Sequence, residues 1–154
     1  MFKINKPLGE ILKEKKMITE EKLQEALKES KEKKEFLGQV LIRKGFISED
    51  DLLKALAEQF SLKVVSLKYK YINVNLLKRF SPTLIFDHHC LPLEEDENSV
   101  TFAITNPLDI WTIKKAEEEA GNLKAKFVLS SLEDIKEVIL RCKEYLKKEM
   151  LKGI

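Results

Sequence analysis

PLGEILKEKKMITEEKLQEALKES (residues 7–30) and FLGQVLIRKGFISEDDLLKALAEQ (residues 36–59) are two copies of one unit, and they align without a gap. Leu8-Gly9 recurs as Leu37-Gly38, an offset of 38 − 9 = 29 positions. The same offset carries Leu12 to Leu41, Ile18 to Ile47, Leu23 to Leu52, Ala26 to Ala55 and Leu27 to Leu56. Thr19-Glu20-Glu21 answers Ser48-Glu49-Asp50. Each copy reads as a helical hairpin. A short helix runs from the Leu-Gly pair to a central turn. Thr19 or Ser48 then caps a second helix, whose first-turn acids suit the positive end of its dipole. Leu23, Ala26 and Leu27, and in the other copy Leu52, Ala55, Leu56 and Phe60, form one apolar stripe per helix. A hairpin cannot bury such a stripe alone, so the spacing predicts two copies packed on each other with pseudo-twofold character.

Three glycines stand out. Gly9 and Gly38 sit at helix starts, where glycine costs about 0.5–1 kcal/mol relative to alanine. Either a tight helix contact or a ligand against the main chain would explain them. Gly45 falls where a helix end calls for a left-handed residue, whereas the matching position holds Lys16. The first turn is therefore expected to be strained or differently shaped. KESKEKKE (residues 28–35) reads as a solvated link between the copies.

Beyond Gln59 the pattern changes to a small α/β unit. Strands are expected at residues 64–67, 90–94, 99–105 and 124–129, with Pro92 at a sheet edge or strand start. Helices are expected at residues 71–80, at 81–86 after a Ser-Pro start, and after the Asn106-Pro107 cap signal. A long last helix follows Ser131 and carries Ile135, Val138, Ile139, Cys142, Tyr145, Leu146 and Met150. Strand, helix, strand over residues 99–129 implies a crossover joining parallel strands. The expected class is α+β: duplicated helical hairpins (residues 1–62) packed on a small mixed-sheet subdomain (residues 63–154).

Composition narrows the chemistry. The 154 residues carry 28 basic and 26 acidic side chains, a net charge of +2, and 44% are apolar. So balanced a surface offers no overall field for nucleic acid or an anionic membrane. Only Arg43, Arg79 and Arg141 are arginines, the residue best shaped for phosphate and guanine edges. Cys90 and Cys142 show no metal or disulfide spacing. Asp87-His88-His89-Cys90 holds ligand-type residues, but neighbours entering a strand point to opposite faces, so a structural turn is the simpler reading. No GxxxxGK[ST] phosphate loop occurs, and neither a nucleophile elbow nor an acid/base pair stands out. The chain reads as a non-enzyme without a metal site. No stretch suggests a membrane span or a signal peptide, so a cytoplasmic location is expected.

The duplicated LG…I-[ST]-E-[ED]…L-x-x-A-L unit, followed by an α/β piece with TNPLD (residues 105–109), resembles the N-terminal MshEN-type domain of the ATPases of type II secretion and type IV pilus assembly. The resemblance implies a cytosolic docking or regulatory module. Its partner would be an assembly protein at the inner membrane, or a related ATPase, and the chain would sit peripherally through it. It also implies an alternative, a cyclic di-GMP sensor whose tandem motif would use Leu8, Gly9, Leu37, Gly38, Gly45 and Gln59. In cyclic-dinucleotide-binding relatives each motif opens Arg-Leu-Gly and closes on glutamine. Here Pro7 and Phe36 stand in place of the arginines, and only the second copy keeps its turn glycine and its glutamine. For a protein partner the candidate contacts are Trp111, for which a core position over the sheet is the competing reading, and Tyr145 and Leu146 on the last helix.

Overall fold

The computed structural model describes residues 2–152. The class is α+β, and the chain divides into two compact units, Met1–Leu62 and Lys63–Ile154.

The first unit holds four helices: α1 (Leu8–Glu14), α2 (Glu20–Lys33), α3 (Leu37–Arg43) and α4 (Glu49–Phe60). Packing crosses between the repeats, α1 lying against α4 and α2 against α3. This follows from the stripes, because the apolar face that a hairpin cannot bury alone is laid against its copy. Leu12 and Leu41, Ala26 and Ala55, and Leu23 and Leu52 are all buried. Each leucine so removed from water contributes about 1.5–3 kcal/mol. Thr19 Oγ1 accepts from Lys22 N (3.3 Å) and Ser48 Oγ from Asp51 N (3.0 Å). The Asp51 carboxylate in turn accepts from Ser48 N, completing a capping box.

Both central turns have one shape. Met17 N donates to Leu12 O and Phe46 N to Leu41 O, each at 2.9 Å. Lys16 adopts φ 58° where Gly45 adopts 73°. The difference the sequence allowed for is thus one of strain and not of geometry: Lys16 is forced into the left-handed region that Gly45 occupies freely. The stretch expected as a link is mostly helix. α2 continues to Lys33 and ends at left-handed Lys34, because lysine and glutamate are good helix formers.

The second unit is a three-stranded sheet in the order β1 (Leu91–Glu95), β2 (Ser99–Ile104), β3 (Lys124–Leu129). β1 and β2 are antiparallel; β2 and β3 run parallel, joined through α6 (Ile110–Ala120). Pro92 lies in the edge strand, where its missing N–H costs least. Phe102 is the centre of the interior, edge-on to Phe80 at 5.2 Å and stacked on Phe127 at 5.7 Å.

Several expectations are corrected. Residues 64–67 form no strand; a single bridge joins Val64 to Leu129. The helix expected from Tyr71 is only α5 (Val74–Leu77), because the Asn73 side chain accepts from Asn75 N and Leu76 N and starts it there. The segment after Pro82 is one π-helical turn, Thr83–Asp87. Ser81 anchors it, donating from N and Oγ to Glu119 on α6. α6 starts at Ile110 under an Asp109 cap; Asn106 instead accepts from Leu108 N in a turn. α7 (Leu132–Lys152) begins under Ser131, as its sequence implies. Among the described residues no helix is long and apolar enough to cross a membrane.

Candidate functional site

Crossed packing decides which motif residues meet. The segment before α1 lies on the end of α4: Asn5 N donates to Gln59 O (3.0 Å), and Asn5 Nδ2 to Glu58 O (3.3 Å) and Ser61 Oγ (2.7 Å). Leu8 and Gly9 of the first motif thus stand beside Gln59 of the second. In the other copy the start of α3 lies on the end of α2, with Ser30 Oγ donating to Glu35 O at 2.5 Å. Leu37 and Gly38 therefore face Ser30, the residue in the place Gln59 takes in its own motif. Gly38 touches α4 at Leu52, seven residues from Gln59, or about 10 Å along the helix. Leu8 and Gly9 thus lie with Gln59, and Leu37 and Gly38 lie apart from them beside Ser30.

Both buried glycines have an internal cause. A Cβ on Gly9 would approach Leu23 Cδ2 to 2.9 Å, and one on Gly38 would approach Leu52 Cδ1 to 2.8 Å. Close passage of the two helices of each hairpin explains both. Gly45 is exposed, with open space where a Cβ would stand. Leu8 and Leu37 are half-buried and Gln59 is buried. Pro7 and Phe36, where relatives with the cyclic-dinucleotide motif carry arginine, are exposed, Phe36 by 59%.

Several cations of the first unit are paired with its own carboxylates. Glu29, only 20% exposed at its side chain, gathers Lys33 (3.2 Å), Arg43 (3.4 Å) and Lys44 (3.7 Å). Its Oε2 accepts no hydrogen bond and is held by the two longer ion pairs. Lys33, then Arg43, keep the Glu29 carboxyl below the usual range, so it stays charged. Arg43 also pairs with Glu35 at 3.0 Å and Lys44 with Glu25 at 3.1 Å; these contacts raise both cations above their ordinary values. In the first copy Lys6 pairs with Glu14 at 2.9 Å, which likewise raises Lys6. Offset by 29, Lys6–Glu14 becomes Glu35–Arg43, the same pair with its charges exchanged. Sequence reasoning passed over this network; carrying the repeat alignment into the charged positions would have found it.

In the second unit Trp111 is not a core residue. It is 48% exposed at the start of α6 and stacks on His88, ring centroids 3.8 Å apart. His88 is thus part of an aromatic contact, and His89 turns away in the left-handed region at φ 53°. Among the described residues no group of His, Cys, Asp or Glu is arranged to hold a metal ion. Cys90 is buried, and desolvation drives its thiol far above the ordinary range, so it is no nucleophile. Tyr145 on α7 is 48% exposed. The side chains of Leu146 and Met150 lie outside the described residues.

Comparison with known proteins places the chain. The MshEN domain family matches residues 60–148, which is most of the second unit preceded by Phe60, the last residue of α4, and the two residues after it. The solved structure described as MshE with cdg superposes with a TM-score of 0.81 at 25% identity, covering 89% of this chain and 99% of that one. Such a span takes in the helical repeat as well. Two crystal forms of the N-terminal domain of XpsE, both 22% identical, give TM-scores of 0.65 and 0.57; they cover 87% of this chain and 92% and 93% of theirs. At that identity they bear on the fold alone. No curated protein gives a significant match.

Proposed function

The chain belongs to the MshEN-domain family, the N-terminal domain type of the secretion and pilus assembly ATPases, and from that premise we propose that it is a non-catalytic, cytoplasmic docking and regulatory module. Its partner is a protein of the assembly machinery at the inner membrane, or a related ATPase. The observation that carries this reading is the division of labour inside the repeat. The Leu-Gly framework is intact and its glycines serve helix packing. The cations beside it are taken up by Glu25, Glu29 and Glu35, and Pro7 and Phe36 bring no charge. A surface built this way keeps the scaffold, while its two motif openings carry no cation of their own. Capture experiments with the tagged chain on cytosolic and membrane fractions test the proposal. Recovery of a secretion or pilus assembly protein is expected; a capture that contains none counts against it.

The second reading is a cyclic di-GMP sensor, with Leu8, Gly9, Leu37, Gly38, Gly45 and Gln59 as ligand residues. The observation favouring it is the likeness to MshE with cdg at a TM-score of 0.81. Without the two arginines such a site forgoes charge-assisted hydrogen bonds of roughly 1.5–3 kcal/mol each. Calorimetric titration separates the readings. Micromolar binding supports the sensor, and silence at high ligand concentration removes it.

A further inference from the structure

All three tyrosines of the chain sit in or beside one feature of the second unit. An open groove of about 270 Å³ lies between the segment entering α5 and α7, with the buried Val138 and Cys142 at its base and the exposed Arg141 and Tyr145 at its rim. Lys70, Tyr71, Ile72 and Val74 line one wall, and Val138, Arg141, Cys142 and Tyr145 the other. Tyr71 is 83% exposed, and Tyr69 beside the groove is 91% exposed. The arginines divide in the same way. Arg43 and Arg79 are bound by Glu29, Glu35 and Glu95, while Arg141 has no carboxylate within ion-pair distance among the described residues. Lys70 likewise has none.

We propose that this groove is where the partner docks, and that the partner presents an acidic segment with one apolar side chain. The proposal rests on the docking reading above and names the surface and the chemistry it uses. Tyrosine and arginine are the residues that most often dominate protein interfaces, because they bring large contact area at small entropic cost. Ile72, Val74 and Val138 give the floor an apolar lining, so an apolar anchor fits it. Lys70 and Arg141 supply two cations from opposite walls, so the flanking charge must be negative. The volume lies below the range of pockets that enclose small ligands. It suits one or two side chains of a protein better than a cofactor.

Two measurements on the full chain decide it. The first is titration with a fluorescein-labelled, glutamate-rich peptide bearing a central phenylalanine, against the same peptide with lysine for glutamate. The acidic peptide is expected to bind at least about tenfold more tightly. Arg141→Glu and Tyr71→Ala, both at exposed positions, are expected to abolish that preference with the circular dichroism spectrum unchanged. Equal binding of the two peptides, or displacement of the acidic one by pyrophosphate at equal concentration, overturns the proposal. The second is capture of the assembly protein by wild type and both variants. Equal capture by all three refutes the groove and leaves docking standing. Failure to capture by any of them refutes docking, and the peptide titration then decides the groove alone.

Discussion

Lys15 of the first repeat reaches Glu58 of the second at 2.9 Å, and the residues 29 positions away stand in the reciprocal relation, Lys44 of the second repeat meeting Glu29 of the first at 3.7 Å. Reciprocity of this kind is what a pseudo-twofold axis between two copies produces. It shows that the repeat extends beyond its leucines and glycines into charges that cross from copy to copy. The second of these contacts lies in the network around Glu29, so the symmetry of the fold reaches into its ion pairs.

Gly38→Val tests the close approach inside the second hairpin. The added methyls would press on Leu52, already 2.8 Å from an ideal Cβ. Overpacking of this kind costs about 1–3 kcal/mol. In a Leu52→Ala background the same change is expected to cost markedly less, because the opposing side chain is gone. Urea unfolding of the four proteins measures the coupling; additive effects would mean that the glycine is there for another reason.

Lys16→Gly is expected to stabilise the chain. At φ 58° lysine carries the left-handed penalty of roughly 1–2 kcal/mol that Gly45 avoids at the equivalent turn. Gly45→Lys is expected to lower stability by a similar amount. Opposite shifts in the thermal midpoint would confirm that the two turns are one structure with different strain.

The histidine at position 89 gives a pH dependence with a definite sign. Burial, then the charge of Lys136, pushes its pKa below the ordinary 6.5. Between that lowered value and 6.5 the unfolded chain binds a proton that the folded chain does not. This contribution is complete above the unfolded pKa and is lost as pH falls through the folded one. Stability is expected to decline from neutral toward mildly acidic pH, and His89→Asn, which tolerates φ 53°, is expected to flatten that part of the profile.

Arginines at the two motif openings test whether charge is all that the framework lacks. With Pro7→Arg and Phe36→Arg together, two charge-assisted hydrogen bonds at roughly 1.5–3 kcal/mol each would raise affinity for cyclic di-GMP at least about a hundredfold. Calorimetry on the double variant measures it. An unchanged titration would mean that Glu29 and its neighbours, or the Lys16 turn, also obstruct the site.

The sequence by itself determined the duplicated hairpins, the caps at Thr19, Ser48 and Ser131, the left-handed turn at Gly45, the β1–β2 hairpin and the parallel pairing of β2 with β3. These are local: they follow from periodicity, from the hydrogen-bonding capacity of a side chain within three residues, or from the length of a crossover. Tertiary structure alone decided the rest. It placed Gln59 beside Leu8-Gly9, surrounded Glu29 with three cations, put Trp111 on the surface against His88, and brought Tyr71 to Arg141. Apart from Lys33, four residues from Glu29 on α2, each of these joins residues far apart in the chain, and composition cannot rank such contacts. Residues 64–67 and 71–73 show the same limit from the other side. Their β-branched and aromatic side chains favour strand or helix equally on pattern, and the outcome was set by the single bridge to Leu129 and by the Asn73 cap.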